Sequence, residues 1–241
     1  MKKIHGHPRS LRQVSTHYCP GCGHGIAHRL IAEVVDELGI RERVIGIAPV
    51  GCAVIAYDYW DFDCSEAAHG RALAVATAIK RVRPENIVFT YQGDGDLAAI
   101  GTNETIHAAN RGENLTVVFI NNAIYGMTGG QMAPTTLLGQ KTATTPEGRD
   151  KSQGWPLKIS EMLALLSGVK YIERTSLHSP GDIINTKRAI KQAFQNQIDG
   201  VGFSLVEVLS PCPTYWGLSP LDALKWVKDA MSKEFPIGRI K

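Results

Sequence analysis

Two short polar runs, each directly after an apolar stretch, have the clearest potential for chemistry. The first is Gln92-Gly93-Asp94-Gly95-Asp96, and the second is Asn121-Asn122, with Asn122 28 residues after Asp94. Glycines in such runs allow the backbone to approach an anion closely. A carboxylate beside a phosphate repels it unless a cation lies between them, and Mg²⁺ is usually held by carboxylates and substrate phosphates together. The runs therefore predict that Asp94 and Asn122 bind Mg²⁺ next to a phosphate group.

The flanking elements must bring the two runs together. Residues 86–91 and 115–120 are apolar and predict buried parallel strands, and residues 97–110 predict a helix after the first run. Both runs would then lie at the carboxyl edge of one sheet, where open α/β sheets bind ligands. The start of a helix also offers free N–H groups to a phosphate. For a lone Gly-Asp-Gly a tight turn with a solvated aspartate is the alternative, but the paired asparagines favour a site.

The rest of the chain alternates helical and strand patterns, which predicts an α/β fold with a mainly parallel sheet and helices on both faces. We expect a single domain over residues 1–241. Residues 123–156 form a long aperiodic segment, interpreted as functional, with residues 142–153 as a lid or a subunit contact. The last helical piece is expected to pack on a partner. The predicted elements are helices at 24–38, 67–82, 160–167, 181–198 and 218–233, and strands at 43–48, 169–174 and 203–209.

Cysteine usage indicates a metal or a redox role. The chain has five cysteines, an odd number, which argues against a disulfide framework. Cys19, Cys22, Cys52 and Cys212 each lie in a Gly/Pro-rich loop, and the last two follow predicted strands. Loops after parallel strands converge on one edge, so the four thiolates are suited to a 4Fe–4S cluster or to Zn²⁺. A redox C-x-x-C with two buried thiols remains an alternative, and Cys64 is read as uninvolved.

Composition excludes several function classes. The formal net charge is only +3, with charged residues at 20%, so nucleic-acid binding is not expected. No run of 18 apolar residues predicts a membrane span. No apolar segment follows the basic Met1-Lys2-Lys3, so we expect no secretory signal and a cytoplasmic protein.

The motifs as a set resemble one enzyme family. The Gly-Asp-Gly and Asn-Asn pair resembles the thiamine diphosphate (TPP) motif. The Tyr125 to Gln131 segment resembles the Y-x-x-T-G-G-Q loop of 2-oxoacid:ferredoxin oxidoreductase β subunits. Cys-Pro-Gly-Cys-Gly-His at residues 19–24 matches the same family. The resemblance covers nearly the whole chain and implies a TPP diphosphate-binding type of domain.

The resemblance implies specific site residues. It favours the cluster over zinc on the four loop cysteines, and it adds the Ile124 carbonyl to Asp94 and Asn122 as Mg²⁺ ligands. His24 has a helix-capping alternative, and His69 and Arg71 have a surface alternative; the resemblance favours a ligand role for all three. Ile55, Arg71 and Met127 are expected on the substrate and coenzyme A (CoA) side. The expected TPP contacts are Gly23, His24, Gly51, Cys52, His69, Gly93, Asp94, Gly95, Asp96, Asn122, Tyr125, Gly126, Met127 and Thr128.

The implied activity is oxidative decarboxylation of a 2-oxoacid to acyl-CoA and CO₂, with electrons passed to ferredoxin. The glutamate that activates TPP is expected from an α-type partner with the pyrimidine-binding domain, and γ and small ferredoxin-like δ subunits are expected as well. Ile55 stands where some relatives have a lysine, which favours 2-oxoisovalerate, with 2-oxoglutarate as the alternative. A non-redox TPP-dependent decarboxylase or synthase subunit, and a structural iron–sulfur or zinc protein, are the other classes.

Overall fold

A computed structural model describes residues 6–241 and contains one seven-stranded sheet. The strand order is β2-β1-β3-β4-β6-β5-β7, and only β7, which pairs with β5, is antiparallel. The predicted α/β class with a mainly parallel sheet is confirmed. The strands are β1 (Val44–Pro49), β2 (Asp63–Ala67), β3 (Ile87–Gly93), β4 (Thr116–Asn121), β5 (Val169–Ser176), β6 (Phe203–Leu209) and β7 (Gly238–Arg239).

Helices cover both faces of the sheet because its central strands are apolar on both sides. Every residue of β4 and of β6 is buried. Helices α1 and α5 pack on one face, and α2, α3 and α4 pack on the other. The helices are α1 (His24–Leu38), α2 (Ala72–Val82), α3 (Thr102–Asn110), α4 (Ile159–Ala164), α5 (Pro180–Ile198), α6 (Pro213–Trp216), α7 (Pro220–Trp226) and α8 (Ser232–Glu234).

The segment before α2 differs from the prediction. Residues 63–67 form the edge strand β2, which was not predicted from the sequence and which runs parallel to β1, and α2 begins at Ala72 rather than at residue 67. An edge strand needs only partial burial, so its polar sequence carries no apolar signal. The predicted helix after Asp96 is also divided. It opens with a π-helical turn at Asp96–Ile100, closed by the Gly101 N–H bond to the Asp96 carbonyl at 2.9 Å, and α3 follows.

The carboxyl-terminal helices pack one face on their own chain, and the expected contact with a partner stays a prediction. Val227, Met231 and Phe235 are fully buried against Leu209 and Ala123. This cluster lies directly under the turn that follows β4. The Trp216 indole also donates to the Asn122 carbonyl at 3.1 Å. The end of the chain therefore supports one of the two predicted ligand runs.

The long segment after β4 is irregular, as predicted, with a single 3₁₀ turn at Lys151–Gln153. It is nevertheless held in place by Arg149, whose side chain is buried. The guanidinium donates to backbone carbonyls of this same segment, those of Ala133, Pro134, Thr136, Gln153, Gly154 and Trp155. One buried cation thus satisfies carbonyls that a compact loop would otherwise leave unpaired.

Two expectations concerned the membrane and export. No helix within residues 6–241 has both the length and the apolar character to cross a membrane. The basic Met1-Lys2-Lys3 run, on which the expected absence of a signal rests, lies outside the described residues.

Candidate functional site

A cavity of about 320 Å³ opens at the carboxyl ends of β1, β3 and β4. All but one of the predicted TPP contacts line it, and Ile124 lines it too. The sequence did not indicate three further lining residues, Val50, Ala53 and Ile120. The cavity is lined by His24, Val50, Gly51, Cys52, Ala53, His69, Gly93, Asp94, Gly95, Asp96, Ile120, Asn122, Ile124, Tyr125, Gly126, Met127 and Thr128.

Asp94 provides a buried carboxylate at this edge. Its side chain is 3% exposed, and it accepts hydrogen bonds from the Thr135 hydroxyl at 2.7 Å and from the Gly95 N–H at 2.9 Å. No basic side chain within residues 6–241 forms an ion pair with it. Burial raises the pKa of Asp94 to about 7, although the hydrogen bonds from Thr135 and Gly95 oppose that shift. A buried carboxylate without a cationic partner fits a metal ligand.

The second ligand run forms a tight turn after β4. The Asn121 side chain donates to Glu207 at 2.8 Å and accepts from the Ala123 N–H at 3.2 Å. Ala123 has φ of 57°, a left-handed conformation that costs energy for a residue with a Cβ. Asn122 is buried, and its side-chain oxygen accepts from the Ile124 N–H at 3.4 Å. Because Gly93 pairs with Ile120 in the sheet, this turn and Asp94 share one edge.

Asp96 lines the cavity, and three protein groups donate hydrogen bonds to its carboxylate. It accepts from the His69 Nδ1 at 2.8 Å, from the Gly70 N–H at 2.6 Å and from the Gln92 amide at 2.6 Å. His69 is therefore held by one ring nitrogen, which leaves Nε2 as its other hydrogen-bonding atom. Burial raises the pKa of Asp96, while the bonds from Gly70, Gln92 and His69 lower it. The geometry assigns Asp96 the role of orienting His69 at the cavity wall.

His24, the first residue of α1, is buried between the two tyrosines Tyr18 and Tyr91. Its Nδ1 lies 2.6 Å from the Tyr91 hydroxyl, and its ring stacks on Tyr18 with a centroid separation of 4.8 Å. Burial, assisted by His17, lowers the pKa of His24 to about 3, so the ring is neutral near pH 7. No helix-capping side-chain hydrogen bond is present at the start of α1. His24 therefore contributes a neutral ring to the cavity.

Gly23 is the one predicted TPP contact that does not line the cavity. A Cβ added at Gly23 would lie 2.1 Å from the Ser210 hydroxyl oxygen. Its N–H donates to the Pro211 carbonyl at 3.3 Å. The glycine is needed for close packing of the C-x-x-C loop on the loop after β6.

A second cavity, of about 170 Å³, contains the four predicted cluster ligands Cys19, Cys22, Cys52 and Cys212. Burial and the neighbouring thiols raise the pKa of Cys22 to about 11 and those of Cys52 and Cys212 to about 12. All five cysteines are free thiols. Within residues 6–241, no three His, Cys, Asp or Glu side chains are arranged around a point that would hold a single metal ion.

Cys64 is separate from this group. It lies on β2, opposite Gly46 of β1, and is packed against the core. Burial raises its pKa to about 12, but the remaining influences come from Gly46, Arg12 and Asp63 and not from another cysteine. The interpretation of Cys64 as a thiol outside the cluster group agrees with this position.

Ile55 and Arg71 line neither of these two cavities, and their placement on the substrate side stays a prediction. Ile55 directly precedes a 3₁₀ turn at Ala56–Asp58. Arg71 forms an ion pair with Glu104 at 2.8 Å and donates to the Ile100 carbonyl at 3.3 Å. Met127 lines both cavities, as predicted.

The fold and the cavity define the class as a TPP-binding domain. Residues 50–208 match the family model described as thiamine pyrophosphate enzyme, C-terminal TPP binding domain. A solved 4-hydroxybenzoylformate decarboxylase from Rhodococcus jostii, which depends on thiamine diphosphate, has the same fold, with a TM-score of 0.51 over 85% of this chain and 34% of that one at 15% identity.

More similar proteins narrow the family. The 2-oxoglutarate synthase subunit KorB of Archaeoglobus fulgidus is 41% identical over 89% of this chain and 76% of its own length. The ketoisovalerate oxidoreductase subunit VorA of Methanothermobacter thermautotrophicus is 53% identical over 100% of this chain, which spans only 53% of that protein. The chain thus spans about half the length of the VorA proteins it matches.

A solved structure of the same family is similar over most of the chain. It is the 2-oxoglutarate:ferredoxin oxidoreductase of Magnetococcus marinus, determined with 2-oxoglutarate, coenzyme A and succinyl-CoA bound. The match has a TM-score of 0.78 and 28% identity, and it covers 95% of this chain and 74% of that one. The chain belongs to the 2-oxoacid:ferredoxin oxidoreductase family.

Proposed function

We propose that the chain is the β subunit of a CoA-acylating 2-oxoacid:ferredoxin oxidoreductase that binds TPP, Mg²⁺ and a 4Fe–4S cluster. One observation carries this proposal. The cavity with Asp94 and the cavity with the four cysteines share a wall, formed by His24, Cys52, Asn122, Gly126 and Met127. A cofactor in the first cavity and a cluster in the second would be direct neighbours, which suits electron transfer between them.

The Mg²⁺ ligands in this proposal are the Asp94 carboxylate, the Asn122 side-chain oxygen and the Ile124 carbonyl. All are hard oxygen donors, which Mg²⁺ prefers together with substrate phosphates. The diphosphate would lie against Gly93 and Gly95. TPP supplies, when bound, the nucleophile for attack on a 2-oxoacid carbonyl and loss of CO₂. The chain's own residues position that chemistry: His69 and the neutral His24 offer ring nitrogens at the cavity wall.

The similarity to 2-oxoacid:ferredoxin oxidoreductases, which pass electrons to an iron–sulfur protein, favours a cluster over zinc. The four cysteines line one cavity of about 170 Å³. A cubane is suited to such a site because each thiolate binds a different iron. These cysteines also distinguish the proposal from a non-redox TPP enzyme, which needs no such group.

The apolar wall of the first cavity favours a branched-chain substrate. Val50, Ala53 and Met127 line it, and no lysine or arginine of the described residues does. A distal carboxylate, as in 2-oxoglutarate, would then be buried without a cation. Each well-buried methyl contributes about 0.8 kcal/mol to binding of an aliphatic side chain. We therefore favour 2-oxoisovalerate, and 2-oxoglutarate is the second candidate because of the similarity to the KorB proteins.

The assembled enzyme is expected to prefer 2-oxoisovalerate over 2-oxoglutarate by roughly tenfold or more in kcat/KM, a difference of about 1.4 kcal/mol. The measurement is ferredoxin reduction with each acid and with pyruvate, in the presence of coenzyme A. Val50→Lys should shift this ratio toward 2-oxoglutarate because it adds a cation at the wall. Val82→Lys, at an exposed position of α2, is the control. A tenfold preference of the unmodified enzyme for 2-oxoglutarate would contradict the assignment and indicate an arginine from another subunit.

Catalysis is expected to require a domain outside these residues. The described cavity lining contains no glutamate that could activate the aminopyrimidine of TPP. An α-type subunit with the pyrimidine domain would supply it, and γ and δ subunits with ferredoxin would complete electron transfer. The isolated chain should release no CO₂ from 2-oxoacids above the background rate, and adding the partner subunits should restore CO₂ release. Sustained turnover by the chain alone would show this expectation to be wrong.

A further inference from the structure

A buried ionic network lies behind the turn that carries Asn122. Glu207 on β6 is 1% exposed, and its Oε2 accepts from the Arg174 Nε at 2.8 Å and from the Ser160 hydroxyl at 2.5 Å. Arg174, also 1% exposed, donates both terminal nitrogens to Glu161 at 2.8 and 2.7 Å. Buried ion pairs are weak stabilisers compared with apolar packing of the same volume, so their presence calls for another role.

The second oxygen of Glu207 is directed at the turn. Oε1 accepts from the Asn121 Nδ2 at 2.8 Å, although 86 residues separate the two in sequence. A carboxylate only accepts hydrogen bonds, so it fixes the Asn121 amide with its nitrogen toward Glu207. The Asn121 oxygen is then presented to the Ala123 N–H, which it accepts at 3.2 Å. Glu207 thereby sets the orientation of an amide that closes the turn.

That turn holds a strained residue. Ala123 is the only non-glycine residue with positive φ among residues 6–241. Its carbonyl accepts from the Thr136 hydroxyl at 2.7 Å and from the Gln140 amide at 2.9 Å. A left-handed alanine persists only where its surroundings hold it there. Here those surroundings are the Asn121 side chain on one side and the Thr136 and Gln140 side chains on the other.

We propose that Glu207, anchored by Arg174, is a positioning residue for the metal site. It acts through Asn121 to hold the left-handed Ala123 turn that presents the Asn122 side chain and the Ile124 carbonyl to the cation. Groups that orient metal ligands without touching the metal commonly change metal affinity by about 10- to 100-fold. The inference rests on the proposed Mg²⁺ and TPP site, and it adds a function for a buried network that contacts neither.

Glu207→Gln and Asn121→Asp test this role, each by changing one partner of the hydrogen bond between the two residues. Asn121 and Arg174 donate to different oxygens of Glu207, and in a glutamine one of these positions becomes an NH₂ donor, so both bonds cannot be kept. An aspartate at 121 would place a carboxylate against Glu207. In the assembled complex, each variant should raise the Mg²⁺ concentration for half-maximal TPP binding about tenfold. At saturating Mg²⁺, TPP affinity should return close to that of the unmodified complex. TPP binding is followed by titration calorimetry at several Mg²⁺ concentrations, without substrate.

Glu113→Gln is the matched control. Glu113 is also a buried carboxylate paired with arginines, Arg81 at 2.5 Å and Arg111 at 2.7 Å, but it precedes β4 at the end opposite to the turn. Glu113→Gln should lower the melting temperature without changing the Mg²⁺ concentration needed for half-maximal TPP binding. Asn121→Ser, which removes the amide without adding charge, should raise the Mg²⁺ requirement in the same direction even if Glu207→Gln does not fold.

The outcomes separate this inference from the proposed function. An Mg²⁺ requirement within twofold of the unmodified complex in Glu207→Gln, Asn121→Asp or Asn121→Ser would overturn the positioning role, even if the melting temperature falls. An unmodified complex that binds TPP with no dependence on Mg²⁺ would instead contradict the proposed metal site, and this inference with it.

Discussion

Asp94→Asn in the assembled enzyme is expected to reduce TPP affinity by at least about 100-fold and to remove the dependence of binding on Mg²⁺. The substitution keeps the size of the side chain and an acceptor for Thr135, which donates to Asp94 at 2.7 Å. It removes the charge that would hold a cation beside the diphosphate. Calorimetric TPP titrations with and without Mg²⁺ measure both effects, and Asp94→Ala should lose binding to the same degree.

Asp94→Asn should also stabilise the cofactor-free chain against unfolding. The pKa of Asp94 is raised to about 7 from an ordinary 3.8, so the ionised carboxylate destabilises the folded state increasingly as the pH rises above 3.8 and fully above 7. That difference corresponds to about 4 kcal/mol at high pH. Asp94→Asn should therefore raise the unfolding free energy of the cofactor-free protein at pH 8, and much less at pH 4.

Two results would contradict this assignment of Asp94. One is unchanged TPP affinity with unchanged Mg²⁺ dependence in Asp94→Asn. The other is an equal loss of TPP affinity in Asp199→Asn, a control at an exposed residue at the end of α5. A stability difference between Asp94→Asn and the unmodified cofactor-free protein that is the same at pH 4 and pH 8 would contradict the raised pKa of Asp94.

The residues at this edge of the sheet could be predicted from sequence, because the strand patterns that position them are local and regular. Apolar runs before Gly93 and Asn121 predict adjacent parallel strands, and the register that pairs Gly93 with Ile120 then brings both ligand runs together. The four cysteines converge for the same reason, because the loops of Cys52 and Cys212 follow β1 and β6 at that edge. The apolar strand patterns and the polar residues that follow them were enough to predict these residues.

The other features of the site depend on three-dimensional geometry that leaves no local pattern in the sequence. Val50 and Ala53 line the cavity and Ile55 does not, because the chain turns at Gly51, which has φ of 117°, and enters a 3₁₀ turn. Gly23 has the sequence context of a ligand contact but is required by packing against Ser210. The bond from Asn121 to Glu207 spans 86 residues, and such polar pairs cannot be read from either segment alone.

Cys212→Ser is expected to lose the cluster, whereas Cys64→Ser is expected to keep it. The two thiols are a matched pair, since burial raises the pKa of each to about 12. They differ in their neighbours, because Cys212 is influenced by Cys22, Cys52 and Cys19, and Cys64 by no other cysteine. The sulfurs of Cys212 and Cys52 each lie 3.5 Å from the position that a Cβ on Gly126 would occupy. Burial alone therefore does not distinguish the two thiols, but the presence of neighbouring cysteines around Cys212 does.

Anaerobic purification of the assembled enzyme, followed by iron and sulfide analysis, provides the measurement. Because the partner subunits are expected to carry clusters of their own, the informative quantity is the difference between variants. Cys212→Ser should lower the iron content by about four atoms per chain, or leave a damaged cluster with an altered electron paramagnetic resonance spectrum after reduction. Cys64→Ser should match the unmodified enzyme in iron content and in its spectrum.

Stoichiometric zinc in place of this iron would contradict the cluster assignment, and equal iron loss in the two variants would contradict the grouping of the four cysteines. Loss of ferredoxin reduction in Cys212→Ser with retained TPP binding would place the defect in electron transfer, because Cys212 lines the cysteine cavity and not the cavity that contains Asp94.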